Sequence, residues 1–512
     1  MNIRLLFRNA GIVTFGALCS RILGLARETA ITNRFGLSAQ TDAYAVGSYV
    51  PITLSNMLVS GIVSAVFIPL FSQLVAKKKI ADLRMIITVT VNQFVLLMVF
   101  FLFVLYILAP FMVKIQAPRF DPERLYYGIS IFRIALPSIL FLGLAALSSG
   151  ILNSIKIFGI PTLGGIIFNA TIVGMTLAFA HVWGINAVAI ALVVGAIGQF
   201  LIQYIWVEKH KLGYRFKPIL YHPAMRDLYI LILPVIVGSG INYLAPLVNN
   251  MIGSQLAKGY LASLHTAFKV SQFPIGIFAL AVSSVVFPNL AEHVEKKEHN
   301  NVQQNVQWAI KFVLLIMLPA TLGLVVTSVP VVRLLFESGE FTPLDTLITA
   351  PALQLYCVAL IPWSLTAILV KILYSCKDTI TPVWVAVATI VVLVVFDLAL
   401  VGPMGHLGLA LGSALSGLFN TIVLWIIIAK RYPSYLVVSP LRKTGIICTI
   451  GSLLMTGSLY FANMQFSRFL QFSSKWDQMF QVILLVLVGC LVYGIFIYVF
   501  DKRDIKEVMG RS

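Results

Sequence analysis

The feature that leaves this chain fewest choices is a succession of apolar stretches, each of roughly 20 residues or more, separated by short polar breaks along its whole length. A stretch of that length crosses hydrocarbon only as a helix or in a closed barrel, because no water is present to satisfy backbone N–H and C=O groups. Runs of this length without period-2 alternation specify helices. The sequence therefore predicts an all-α integral membrane protein of about fourteen spans. They fall near 9–35, 41–75, 83–115, 125–153, 159–182, 184–207, 225–256, 260–291, 304–336, 344–375, 380–401, 405–429, 441–464 and 477–500. With 59% of the 512 residues hydrophobic and 11% charged, an ordinary soluble domain is excluded. No break holds a separate soluble domain, so the chemistry resides among the helices.

The formal charge of +18 is read as topology, since cytoplasmic loops of membrane proteins collect Lys and Arg. No nucleic-acid partner is expected. With the N-terminus inside, Lys77, Lys78, Lys79, Lys156, Lys209, Lys211, Lys296, Lys297, Lys377, Lys430 and Arg431 fall on the cytoplasmic side. Few basic residues, among them Arg34, Lys114, Arg119 and Lys258, fall opposite. Both termini are expected in the cytoplasm. Cys19, Cys357, Cys376, Cys448 and Cys490 lie in or beside apolar segments without ligand spacing, predicting neither disulfides nor a metal site. Leu18 is too large to precede a lipoprotein cleavage site at Cys19, and the apolar run continues to Phe35, so no cleavage is expected.

The chain repeats itself. Ser64-Ala65-Val66-Phe67-Ile68-Pro69 with Lys77-Lys78 is echoed 219 residues later by Ser283-Ser284-Val285-Val286-Phe287-Pro288 with Lys296-Lys297. Ile151-Leu152-Asn153-Ser154-Ile155-Lys156 with Pro161 is echoed 221 residues later by Ile372-Leu373-Tyr374-Ser375-Cys376-Lys377 with Pro382. The unit is six helices, an even number, so the two copies enter the membrane from one side, as in transporters with parallel repeats and a substrate path between them. The expected organisation is an N-terminal lobe over 1–217, a second lobe over 218–433, and two extra helices with a tail over 434–512.

Within the first span, Ser20-Arg21-Ile22-Leu23-Gly24-Leu25-Ala26-Arg27-Glu28 sets two arginines and a glutamate in an apolar helix. A charge at the bilayer centre costs at least about 2.5–3.5 kcal/mol, so such groups turn toward protein or a wet cavity. Helical geometry puts Arg21 and Arg27 about 120° apart with Gly24 midway and Glu28 almost below Arg21. The gap at Gly24 would admit a bulky anion to the backbone. The plain alternative is that Glu28 neutralises Arg21 while Arg27 snorkels to the interface.

Other ionisable residues at membrane depth are Arg133, Lys269, Lys311, Lys371 and Asp397, with Asp42 and Arg333 near the outer interface. Arg21, Arg27 and Lys269 together suit a phosphate or pyrophosphate. Asp42 either caps its own helix or gates the outer side against a cation or backbone amides. Asp397 either pairs with Lys371 or binds a proton or sodium ion, with Asn242 or Ser413 as co-ligands. No GxxxxGK[ST] loop, HExxH or GxSxG elbow is present, so the sequence points neither to an ATP engine nor to an enzyme, and no cofactor is expected.

The first-span motif, then Phe35-Gly36, Thr41-Asp42-Ala43-Tyr44, Phe67-Ile68-Pro69, Phe273-Pro274-Ile275-Gly276, Gly339-Glu340-Phe341-Thr342 and Lys377-Asp378-Thr379-Ile380-Thr381-Pro382, resembles the MurJ/MviN lipid II flippases of the multidrug/oligosaccharidyl-lipid/polysaccharide superfamily. The resemblance covers nearly the whole chain. It implies two six-helix lobes in a V, a central cationic cavity, and a groove for the lipid tail formed with the last two helices. It places the family's arginines on Arg21 and Arg27, its acid at the second-helix entrance on Asp42, and Lys269 where relatives commonly carry arginine. At the second helix, where relatives often have Arg-Arg and then Glu, this chain has Ser55-Asn56 and Ser60.

The expected function is a flippase of the bacterial cytoplasmic membrane that moves undecaprenyl-pyrophosphate-linked peptidoglycan precursor to the outer leaflet by alternating access. Substrate contacts fall on Arg21, Gly24, Arg27 and Lys269, gating on Glu28 and Asp42, and cation coupling on Asp397, Asn242 and Ser413. A sodium or proton gradient, or the membrane potential, would drive it. Expected partners are the lipid-linked precursor, membrane lipids and cell-wall synthesis proteins. Rival readings are a flippase for another polyprenyl-linked glycan, a drug or cation antiporter of the same superfamily, and a non-transporting cell-wall scaffold. An antiporter for organic cations should have an acidic or aromatic cavity, and the charges here are basic.

Overall fold

Helix is the regular structure throughout the computed structural model, and no strand occurs among the described residues. Those residues are 3–58, 63, 67–77, 80–214, 217, 219–220, 222, 240–469 and 474–500. The chain begins with α1 (Ile3–Phe35), α2 (Ala39–Gly47), α3 (Tyr49–Asn56), α4 (Ile68–Ala76) and α5 (Ile80–Ile107). Next come α6 (Ala109–Gln116), α7 (Pro122–Ala135), α8 (Pro137–Ser154), α9 (Gly159–Trp183) and α10 (Asn186–Lys209). After residues 223–239, which lie outside the described set, follow α11 (Leu244–Gly253), α12 (Tyr260–Pro274), α13 (Leu280–Glu295), α14 (His299–Phe336) and α15 (Pro343–Val358). The chain ends with α16 (Leu360–Ser375), α17 (Ile380–Met404), α18 (His406–Arg431), α19 (Val438–Phe469) and α20 (Lys475–Phe500).

Ten helical stretches among the described residues are long and apolar enough to cross a membrane. Of the remaining expected spans, 9–35, 41–75 and 260–291 fall on α1, the broken α2–α4 run and α12–α13, while 225–256 lies outside the described residues up to 239 and holds α11 beyond it. The repeat is visible in helix lengths. Pro122–Ser154 and Pro343–Ser375 are both 33 residues, and Gly159–Trp183 and Ile380–Met404 are both 25. Each 33-residue crossing is interrupted at the start of its second helix, at Pro137 in one and just before Leu360 in the other. The Phe-Pro-x-Gly motif also has a local consequence: after Pro274 the helix widens to π geometry over Ile275–Ala279. Residues 57, 58, 63 and 67 take the same geometry in the first repeat. A π segment is weakly bonded and often marks a functional bend.

By packing, the chain forms two compact units, Met1–Ala262 and Ser263–Ser512. Residues 240–262 thus pack with the first unit, although the sequence repeat would begin a new lobe at 218. The reason is a set of polar ties: Tyr49 Oη donates to Tyr243 O, and the Arg119 amide donates to Ser254 Oγ at 3.2 Å. In the second unit, α19 and α20 close on Met455, Leu459 and Leu485, with Val326 of α14 against them. Tyr493 Oη donates to Leu315 O at 2.8 Å, and Lys475 Nζ donates to Arg333 O and Leu334 O at 3.1 Å. The two helices outside the repeat are therefore anchored along α14.

Four lysines end helices in the left-handed region: Lys156, Lys211, Lys297 and Lys377, at φ 65°, 56°, 58° and 63°. Glycine normally fills this position, and an L side chain there costs roughly 1–2 kcal/mol. Each turn closes with two backbone bonds, as in Lys211 N to Glu208 O at 2.7 Å and Leu212 N to Val207 O at 3.1 Å. The turn at Lys377 leads into the Asp378 motif. There the Thr381 amide and hydroxyl donate to the Asp378 carboxylate at 3.0 and 2.6 Å, and Arg431 Nη1 donates at 2.8 Å. Burial works to raise the Asp378 carboxyl, but the Thr381 bonds and the Arg431 charge outweigh it and hold it below its ordinary value.

Candidate functional site

The charged motif lies in the middle of α1, which packs along α9 through a seam of small residues. A Cβ on Gly16 would lie 2.3 Å from Thr162, and one on Gly165 would lie 3.0 Å from Ser20 Oγ, so the two backbones run close. Asn169 of α9 locks the seam: its amide donates to Gly165 O at 3.0 Å, Ser20 O at 3.3 Å and Ser20 Oγ at 3.4 Å. Gly24 continues this face. A Cβ there would meet only Asn169 Oδ1, at 3.9 Å, so the expected gap exists and Asn169 borders it.

The arginines are not equivalent. Arg27 donates from Nε and Nη2 to Glu28 Oε1 at 3.3 and 3.2 Å, and Glu28 is buried. Glu28 thus serves Arg27, its chain neighbour, and not Arg21 two turns away, because the long Arg27 side chain folds along the helix to reach it. Arg21 is half-buried and forms no ion pair or hydrogen bond with the described residues. One cation is neutralised in place and the other is available, with an open stretch of backbone between them. Chemically, a guanidinium with no partner among the described residues, beside open backbone and a second arginine, can bind an anion with more than one oxygen to share.

Asp42, fully buried, does not cap its own helix. Ser38 and Thr41 do that through reciprocal side-chain bonds. The Asp42 carboxylate instead receives the amides of Gly259 and Ala262, both at 2.8 Å, and Arg124 Nη1 at 3.5 Å. It therefore caps the start of α12 from a distance, where exposed N–H groups and the helix dipole favour an anion. Arg124 also donates to Leu256 O at 3.1 Å, and Lys258 pairs with Glu123 and Asp121. Burial works to raise the Asp121 carboxyl, yet the Arg124 amide and the Arg124 and Lys258 charges hold it below its ordinary value. The result is a polar clasp joining α2, α7 and the entrance of α12. Asp42→Ala should open this clasp. It strands two buried amides and a guanidinium, each unsatisfied group costing about 1–3 kcal/mol. Hydrogen exchange at Gly259 and Ala262 should accelerate while the amides inside α9 stay protected. Unchanged exchange at these two positions would refute the clasp.

In the second unit, Lys269 lies partly buried on α12, five residues before Pro274 and the π segment. Lys371 does not pair with Asp397. Its Nζ sits over the rings of Phe287, 4.8 Å away, and Tyr374, 5.8 Å away. Asp397 on α17 is fully buried, and neither carboxylate oxygen has a hydrogen-bond partner among the described residues. It approaches α18 so closely that a Cβ on Gly412 would fall 2.1 Å from Oδ1. Ser413, the next residue, is also buried. A buried carboxylate with no partner among the described residues can take up a proton or a small cation. Asn242 belongs to a short 3-10 turn, Ile241–Tyr243, but its side chain lies outside the described residues, as does Ser60. Ser55 is buried and donates to Pro51 O at 2.8 Å, so at that position a bond within the helix replaces a charge. Sequence reasoning missed Asn169, whose signal was a lone amide mid-span one turn after Gly165, and the role of Arg124, which counts in the sequence only as one more basic residue on the outer side.

The family profile "Lipid II flippase MurJ" matches residues 31–487. A probable lipid II flippase MurJ of Rickettsia prowazekii is 28% identical over 439 residues, covering 83% of this chain and 84% of the relative. The lipid II flippase MurJ of Burkholderia cenocepacia is 27% identical over 443 residues, covering 83% and 84%. Among solved structures, a lipid II flippase MurJ in an inward closed conformation aligns with TM-score 0.80 and 25% identity over 96% of this chain and 99% of that one. An inward-facing multidrug resistance MATE family transporter aligns with TM-score 0.71 at 14% identity, covering 81% and 95%, a likeness of fold alone.

Proposed function

This chain belongs to the MurJ family of lipid II flippases, and from that premise we propose how its own residues carry the lipid across the membrane. It is a multi-pass inner-membrane protein that flips lipid II. In our reading the substrate loads from the cytoplasmic leaflet and leaves to the outer leaflet by alternating access. Transport breaks no covalent bond, and no enzymatic step is assigned. The observation that carries the site is the unbonded Arg21 beside the Arg27–Glu28 pair, with the Gly24 backbone open between them. The pyrophosphate binds Arg21 first and then competes with Glu28 for Arg27. Glu28 is thus the resident counter-ion that the substrate displaces. The Asp42 clasp is the outer gate, and α19 with α20 offers the polyprenyl tail its groove. Asp397 couples the cycle to a sodium or proton gradient. The membrane potential alone is the other driving force, at about 2.3 kcal/mol per charge per 100 mV.

Depleting the protein in its host should trap lipid II in the inner leaflet, read by leaflet-resolved labelling of the precursor. An unchanged leaflet distribution would remove the flippase role. With both termini cytoplasmic, a cysteine beside Lys77 should react with an impermeant reagent only from the cytoplasm, and one at Arg119 only from outside. Reactivity from the opposite sides would reverse the direction of loading.

A further inference from the structure

Between α5, α8 and α10 lies a cavity of about 230 Å³ whose wall includes Val91, Leu147, Ile151, Phe200 and Val207. At about 30 Å³ each it has the volume of several waters, but a buried water needs two to four polar partners. Of the ten lining residues only Ser148, Tyr204 and Tyr214 carry a polar side-chain group, and two of these already donate, Ser148 Oγ to Leu144 O at 2.9 Å and Tyr214 Oη to Asn92 Oδ1 at 2.7 Å. The cavity therefore suits hydrocarbon.

Its rim is basic in an unusual way. α8 and α10, which supply most of the wall, each end a few residues past it in a left-handed lysine, Lys156 and Lys211. The residues that follow, Ile157 and Leu212, pack into one apolar cluster with Leu147, Ile151 and Val207, which fixes both lysines at the same rim. Both side chains are exposed, as are Lys209 and Lys217, against two exposed acids, Glu208 on α10 and Asp82 in the first turn of α5. The second unit builds two such turns as well, but there Lys297 and Lys377 are followed by Glu298 and Asp378, which offset the charge locally. In the first unit the left-handed lysines are followed by Ile157 and Leu212 instead of an acid, and exposed lysines outnumber the acids beside them.

We propose that this cavity takes an acyl chain of an anionic phospholipid whose phosphate is held by Lys156 and Lys211. Charge selects the headgroup, since a zwitterionic lipid offers the two lysines no net partner, and the dry wall holds the chain. The site is separate from the α1 motif and does not depend on how lipid II is held.

The test uses the full-length protein in phosphatidylcholine vesicles containing a little phosphatidylglycerol with a diazirine in one acyl chain. After photolysis, adducts are mapped by peptide mass spectrometry. They should fall within residues 144–151 and 200–207, and an equivalent phosphatidylcholine probe should label these segments far less. Lys156→Gln and Lys211→Gln, both at exposed positions, should each weaken labelling roughly fivefold, the worth of one basic residue at an anionic surface. Ser148→Phe should abolish it by filling the cavity. Equal labelling from phosphatidylcholine, indifference to both lysine variants, or displacement of the probe by lipid II would overturn the proposal.

Discussion

Arg27→Ala should abolish lipid II export and also weaken the fold, and the second effect must be separated from the first. Glu28 is buried, and its neighbour's guanidinium contacts it at 3.2 Å. Removing one member of a buried pair typically costs about 3–5 kcal/mol because the remaining charge is stranded. The informative protein is therefore the double variant Arg27→Ala with Glu28→Gln, which deletes cation and counter-ion together. Its thermal midpoint should return most of the way to wild type while export stays lost. Arg27→Lys keeps the charge but not the fork, and should export below wild-type level. Arg21→Ala has no ion pair to break, so it should reduce export with little change in thermal midpoint. Normal export by the double variant would show that the cation is structural and would dismiss the anion site.

The architecture was legible because hydrocarbon leaves so few solutions: long apolar runs became helices, and the echo at an offset of 221 residues falls on helices of matching length. Pairing was less legible. Helical geometry set Glu28 below Arg21, but a flexible guanidinium reached it from the adjacent residue instead. Asp42 could be read as a gate or a cap, yet its partners Gly259 and Ala262 use backbone amides, which leave no trace in side-chain identity. The lobe boundary expected at 217/218 followed the repeat, whereas packing follows the ties that Tyr49, Arg119 and Asp42 make to residues 243–262. Lys371 and Asp397 seemed natural partners on adjacent spans. Aromatic faces at Phe287 and Tyr374 offered the ammonium an alternative at its own end of α16.

That last separation sharpens what Asp397→Asn should do. A salt bridge with Lys371 would make the variant less stable, but no such bridge forms, and both carboxylate oxygens are buried without a hydrogen-bond partner among the described residues. Removing the charge relieves a desolvation cost, so in buffer free of sodium the variant should melt at or above the wild-type temperature. The coupling role predicts a second difference. A cation that binds only the folded protein stabilises it by about 2.7 kcal/mol at a hundredfold excess over its dissociation constant. Sodium, or protons if the site takes a proton, should therefore raise the wild-type melting temperature and leave that of Asp397→Asn unmoved. In vesicles the variant should bind lipid II yet lose the transport response to an imposed gradient. Gly412→Ala offers a check that keeps the charge: its methyl would intrude on Oδ1, which a Cβ would approach to 2.1 Å, so it too should blunt the response. Lys371→Met should act additively with Asp397→Asn on stability, as residues that do not touch generally do. A full gradient response in Asp397→Asn would end the coupling assignment whatever the melting curves show, and would leave the membrane potential as the driving force.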